Sequence, residues 1–253
     1  MSPLAISLIV FTCVFMSALG GIFINAMLPE HHLSKDSKEV IKLSMGLIAT
    51  MAALVLGLLT SSAKSTFDLT NSEIQQGAAN SIQLDRALAH YGPETKLIRE
   101  QFKQIIIARL RTTWPEDGAP PMKADTPERR QATETLWGSI RKLSPQTDDQ
   151  REFKAQAQQI VRDLMAMRWL IYTQASSHLP MPFLMVLVFW LFILFGGFGL
   201  LAPRNATVIA AIFLCALAVS GSIFLILEMS DPVGGLIQVS SAPLQYALSQ
   251  LGQ

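Results

Sequence analysis

The sequence predicts an all-α membrane protein: four transmembrane helices, arranged as two hairpins, flank a helical extramembrane insert. Three observations predict it. Half of the 253 residues are hydrophobic and only 15% are charged, with a mean hydropathy of +0.35; a soluble domain is nearer a quarter charged. The apolar residues gather into four runs, each close to the ~20 residues that a helix needs to cross the hydrocarbon core. The charges gather between the second and third runs, where residues 64–181 hold 16 of the 20 Lys and Arg and 14 of the 19 Asp and Glu.

The elements follow in order. Residues 4–28 form the first span. Its leading Met1-Ser2-Pro3 carries no Lys or Arg and its apolar run exceeds a signal core, so it reads as a true span. Residues 40–63 form the second, 182–202 the third and 206–227 the fourth, with Pro203, Arg204 and Asn205 as a tight turn between the last two. In the insert, Ile74, Ala78, Ile82 and Leu88 approximate one helical stripe, and Ile98, Phe102, Ile105, Ile106 and Arg109 another. Gly92-Pro93 fits a helix stop followed by a helix start. Thr126-Pro127-Glu128 reads as cap, first residue and first-turn acid after a Pro-rich loop. A long helix over 148–177 leads into the third span. Alternating strand patterns and internal repeats are absent from the sequence. In the tail, Ser241 is placed to cap a short helix whose Leu244, Ala247, Leu248 and Leu251 share a face. That helix is expected on the bilayer surface, on the insert or on a neighbouring subunit. The organisation is therefore 1–66, first transmembrane hairpin; 67–180, helical extramembrane domain; 181–228, second hairpin; 229–253, interfacial C-terminal tail.

Several function classes find no support. A formal charge of +1 gives no basic field for nucleic acid. Cys13 and Cys215 both lie in apolar runs, which leaves no disulfide framework and no cysteine zinc site. No phosphate-binding loop, nucleophile elbow or zinc-protease motif is present, and no nucleophile has an evident base. These absences argue against an enzyme, and no cofactor is expected.

The second span carries the most information. At ~100° per residue, Lys42, Gly46, Thr50, Ala53, Gly57, Thr60 and Lys64 fall within an arc of about 80°. Leu43, Leu47, Met51, Leu54, Val55, Leu58 and Leu59 occupy the other side. The plain reading of a small face is tight helix packing with snorkelling lysines. The sharper reading is a pore wall: repeated around a symmetry axis, the two lysines become positive rings that flank a weakly polar throat and favour anions. That reading requires an oligomer. The polar knot between the first two spans, with Glu30, His31 and His32, serves to turn the chain at the interface. In an oligomer its histidines would ring a pore mouth and add positive charge in acid. A divalent metal at these three is the weaker alternative, because adjacent histidines rarely reach one ion; no metal is expected. Asn25, late in the first span, is expected to hydrogen-bond a neighbouring helix. Asp85 and Arg86, with Tyr91-Gly92-Pro93-Glu94, are expected to fix a helical corner.

The stretches "LPEHHLSKDSKEVIKLSMGLIATMAALVLGLLTSSAKSTFD", "LDRALAHYGPE" and "SDPVGGLIQVSSAPL" resemble the bestrophin-like family of bacterial membrane proteins, over nearly the whole chain. True bestrophins, a more distant similarity, are pentameric anion channels with paired spans around a cytosolic helical insert and a pore lined by the second helix. The resemblance implies a homo-oligomer (a pentamer by analogy) in the bacterial inner membrane, with the lipid bilayer and small inorganic ions as partners. It also implies a cytoplasmic insert, although the lysines and arginines in the short loops lean slightly towards an external one. The acidic run that binds calcium in animal bestrophins is missing after the last span. A non-conducting scaffold or sensor, whose insert binds a partner, is the competing expectation.

Overall fold

The computed structural model describes residues 2–28, 34–115, 126–175 and 181–252. Among them there are eight α-helices and no strand. They are α1 (Pro3–Met27), α2 (Lys35–Tyr91), α3 (Lys96–Thr113), α4 (Pro127–Lys142), α5 (Asp148–Ala175), α6 (Met181–Leu201), α7 (Ala206–Met229) and α8 (Ala242–Gln250). Four of these, α1, α2, α6 and α7, are long and apolar enough to cross a membrane. The chain divides into two compact units, Met1–Thr66 with His178–Asp231 and Phe67–Ser177 with Pro232–Gln253.

The first unit is built on α1. Its buried positions Val10, Val14, Ala18 and Gly21 recur at helical spacing and make one stripe. That stripe meets α6 at small residues. A Cβ added to Gly199 would lie 1.9 Å from the carbonyl oxygen of Ala18, and one added to Gly21 would lie 2.1 Å from that of Gly196. Only glycine permits backbones to approach so closely. Ser17 donates to the carbonyl of Phe192 at 2.6 Å, and Asn25 donates to that of Ala202 at 3.4 Å, as expected of a polar residue late in the span. The pairs Ser17–Phe192, Gly21–Gly196 and Asn25–Ala202 advance together along both chains, so α1 and α6 run parallel, as the first and third crossings of a four-span protein must. Phe213 of α7 closes the other side, edge-on to Phe11 and Phe15 with ring centroids 5.3 and 5.5 Å away. The tightest packing therefore joins the first hairpin to the second. Asn205 caps α7, accepting from the Val208 amide at 2.8 Å, which sets the sharp turn after α6.

Ser34 caps the start of α2, accepting from the Ser37 amide at 3.2 Å. Beyond the apolar span the helix runs without interruption to Tyr91, since no proline occurs between Pro29 and Pro93, and it stops where Gly92-Pro93 is expected to stop it. Gly92, at φ 139°, then breaks it, and Pro93 opens a short 3₁₀ turn into α3.

In the second unit, Leu84, Leu88 and Ile140 are fully buried with Ile98, Phe102, Ile106, Ala157 and Val161. Thr95, also fully buried, sets its hydroxyl against the carbonyls of Leu88 (2.5 Å) and Gly92 (2.8 Å) and pins the corner. At α4 its own backbone amide, and after it the Thr126 hydroxyl, hold the Glu128 carboxyl below its usual range. The tail lies on the insert: Leu244, Ala247 and Leu251 of α8 are buried in this core. Ser241 stands at the cap position but its hydroxyl makes no cap bond. It accepts instead from the Gln245 side chain, while Ser240 accepts from the Ala242 amide.

A buried carboxylate joins tail and corner. Asp85, 1% exposed, takes both Nε and Nη2 of Arg99, at 2.8 and 2.7 Å, and the amide of Gly252, at 3.1 Å. Trp114 donates its indole N–H to the carbonyl of Val239 at 2.9 Å. Removing one partner of a buried pair leaves the other desolvated and unpaired. Asp85→Ala is therefore expected to destabilise the second unit by about 3 kcal/mol and to expose the tail to limited proteolysis. Thermal unfolding of the purified protein and the rate of tail cleavage check both effects.

Candidate pore-lining face of α2

Within the first unit α2 has three faces. The packing face carries Met45, Ala52, Leu59 and Ala63, all buried, with Ile41, Ile48 and Leu56 partly so. Next to it lie Lys42, Gly46, Thr50, Ala53, Gly57, Thr60 and Lys64, every one exposed. Beyond that stand Leu43, Leu47, Met51, Leu54 and Leu58, which are exposed as well, Leu43 at 72%. At ~100° per residue the three faces take successive sectors of the wheel. The division of the span into one small side and one bulky side is thus corrected. Of the bulky residues only Leu59 and, in part, Val55 hold α2 to its own bundle, in a stripe that also carries Met45, Ala52 and Ala63. That stripe is less conspicuous in the sequence because it mixes Ala with Ile, Leu and Met.

Among the described residues the small face meets no other helix at its glycines: a Cβ on Gly46 or Gly57 would find no atom within 4 Å. Thr50 donates its hydroxyl to the carbonyl of Leu47 at 2.7 Å, and Thr60 donates to that of Leu56 at 2.8 Å. Both hydroxyl protons are thereby committed to the helix backbone. The outward surface between the lysines offers oxygen lone pairs, methyls and bare backbone, with no side-chain donor. Positive charge on this face comes from its ends, Lys42 and Lys64. Glu30, His31 and His32 lie outside the described residues. No group of three or more His, Cys, Asp or Glu side chains that could hold a metal occurs among the described residues.

Sequence reasoning found Asp85 but not its partner Arg99, fourteen residues on and across the corner. The signal was present: Asp85 interrupts an apolar stripe between Leu84 and Leu88, and a buried acid needs a cation or several donors.

The sequence matches the bestrophin-like domain over residues 12–244. The chain belongs to the bestrophin-like family. Two crystal structures share the fold of this bestrophin-like chain, both of single-substitution variants of a bacterial bestrophin homologue from Klebsiella pneumoniae. Their TM-scores are 0.68 and 0.71, each at 14% identity. The first match covers 95% of this chain and 99% of the other, and the second 96% and 97%. No curated protein matches the sequence. With family membership and four apolar helices of spanning length, the bestrophin-like chain is a membrane protein.

Proposed function

We propose that this protein is an oligomeric ion channel, anion-conducting, whose pore is lined by α2 through Lys42, Gly46, Thr50, Ala53, Gly57, Thr60 and Lys64. One observation carries the proposal. The small, lysine-ended face of α2 is exposed among the described residues, while another stripe of the same helix anchors it to its bundle. Were the small face an internal packing surface, another helix would fill the space over Gly46 and Gly57, and none does. Repeated around an axis, such a face gives a narrow throat between two positive rings. The neighbouring exposed Leu43, Leu47 and Leu54 then have adjacent subunits to pack on. The protein sits in the bacterial inner membrane with the second unit on the cytoplasmic side, and five subunits follow the bestrophin analogy. His31 and His32 add positive charge at the outer mouth as pH falls through their titration.

The test is reconstitution of the purified oligomer in liposomes under a chloride gradient. Chloride flux above that of empty vesicles is expected, and it should be lost when the protein elutes as a monomer. Absence of flux over a range of pH and voltage, with an intact oligomer, would leave the non-conducting scaffold as the better reading.

A further inference from the structure

Residues 195–199 of α6 read FGGFG, and the three glycines serve two different helices. Gly196 and Gly199 face α1, where added Cβ atoms would run into the Ser17 side chain and the Ala18 carbonyl. Gly197 faces α2. A Cβ there would lie 2.7 Å from Sδ of Met45, 3.1 Å from its Cε and 3.2 Å from its Cγ. At ~100° per residue Gly197 and Gly199 stand ~160° apart. α1 and α2 thus grip α6 from opposite sides at one level. Met45 is buried, with its whole side chain laid along the bare backbone of α6. α2 is otherwise the least buried of the four spans among the described residues. Of its buried positions in the span, Met45 is the one nearest Lys42, three residues after it and one before Gly46.

We infer that Gly197 is a positioning residue of the proposed pore: by seating Met45 it sets the turn of α2 at the Lys42 end and so where Lys42, Gly46 and Thr50 point, a role that rests on α2 lining that pore. On one side of the seat α6 cannot yield. α1 holds it by backbone-to-backbone approaches at Gly21, Gly196 and Gly199, so any misfit at position 197 passes to Met45. On the other side Met45 cannot absorb the misfit at its tip alone. Sδ and Cε swing aside on a flexible stem, but Cγ moves only with χ1 or with the helix itself. Carbon and sulfur need about 3.7 Å between them. A methyl at position 197 therefore displaces Sδ by about 1 Å and Cγ by about 0.5 Å. The next buried position of α2 is Ala52, seven residues or ~10.5 Å further along. Ile41, Ile48 and Ala49 around the seat are only partly buried. The displacement thus turns the first part of the span and fades beyond Ala52, where Leu59 and Ala63 anchor the helix.

The test reads the water exposure of α2 position by position. Cys13 and Cys215 are replaced by alanine in the full chain, Gly46→Cys, Thr50→Cys and Gly57→Cys are introduced one at a time, and the protein is reconstituted in liposomes. A charged, membrane-impermeant methanethiosulfonate is added, and its rate of attachment is followed by intact mass. With Gly197 in place all three cysteines should react. Gly197→Ala should change the rates at 46 and 50 about tenfold, the shift that ~1.4 kcal/mol produces, and leave that at 57 unaltered. Met45→Ala empties the same seat from the other helix and should also change 46 and 50 but not 57, so the prediction stands even if Gly197→Ala does not fold. The double variant puts a methyl where the thioether lay and should be nearer the wild type than either single change, a non-additivity expected only of residues in contact. Rates unchanged by both single variants would overturn the seat, and so would equal changes at 46, 50 and 57, which mean a general loss of structure. Three unreactive cysteines with Gly197 intact would be the failure of the pore itself; it would take the positioning role with it, and it is recognised without any variant at 45 or 197.

Discussion

Lys64→Glu should invert or nearly abolish the preference for anions in reconstituted channels while leaving assembly intact. A unit charge about 8 Å from a permeating ion, at an effective dielectric constant of about 40, contributes about 1 kcal/mol. Reversing its sign doubles the change, and every subunit adds its own copy. The permeability ratio of chloride to sodium should therefore fall by more than about tenfold. Thr50 and Thr60 cannot compensate, because both hydroxyl protons already go to the helix backbone. Lys64 is exposed, so its replacement leaves the buried stripe of Met45, Ala52, Leu59 and Ala63 in place. Lys42→Glu should act in the same direction and less strongly, since Asp36 and Glu39 already moderate the charge at that mouth. Reversal potentials in asymmetric chloride decide the matter. Conducting mutants whose reversal potentials match the wild type would remove this face from the selectivity wall.

Gly21→Ala should be among the most damaging small substitutions in the chain, and Gly20→Ala among the least. The added methyl at position 21 would sit 2.1 Å from the Gly196 oxygen and 2.8 Å from the Leu200 amide nitrogen, both backbone atoms that no rotamer change can move. α1 and α6 would have to separate along their closest contact, at the ~1–3 kcal/mol typical of overpacking or more. At position 20 the same methyl meets nothing within 4 Å and removes a glycine from a helix interior, which favours the helix by up to ~1 kcal/mol. Gly199→Ala, 1.9 Å from the Ala18 oxygen, should resemble Gly21→Ala. Thermal unfolding in detergent, wild type against the three variants, checks the contrast. Equal stabilities for the variants at 20 and 21 would contradict the parallel pairing of α1 and α6.

The spans, the turn at Asn205, the stop at Gly92 and the insert stripes were all legible in the sequence. Each depends on residues adjacent in the chain or one helical turn apart. Asn25 was legible as a polar residue in need of a partner, though its acceptor, the Ala202 carbonyl, was not. What stayed hidden depends on distant pairs. Gly196 and Gly199 read as interruptions in a bulky span until α1 is laid against them, and Arg99 reads as an ordinary surface cation until the corner brings it to Asp85. The small face of α2 was visible as a pattern. Whether anything covers it was not, because coverage is a property of the other helices. The three-face division of α2 was missed for a related reason: side-chain size alone does not distinguish a contact with the same bundle from one with lipid or a neighbouring chain.

The pairing of α1 with α6 sets a schedule for biogenesis. Ser17 waits for Phe192, a partner 175 residues later. At ~5–20 residues per second the interval is about 9–35 s. Throughout it, the glycine face of α1 lies in the membrane without the helix it was shaped for, while the insert helices are already synthesised. Residues 232–252, which complete the core of the second unit, emerge later still. The order of synthesis thus leaves the first unit incomplete until the last spans arrive and the second until the tail follows them, and slowing translation between residues 67 and 180 should lengthen the time in which the nascent chain is open to membrane proteases. A pulse-chase measurement of degradation before and after release of the chain would reveal that window.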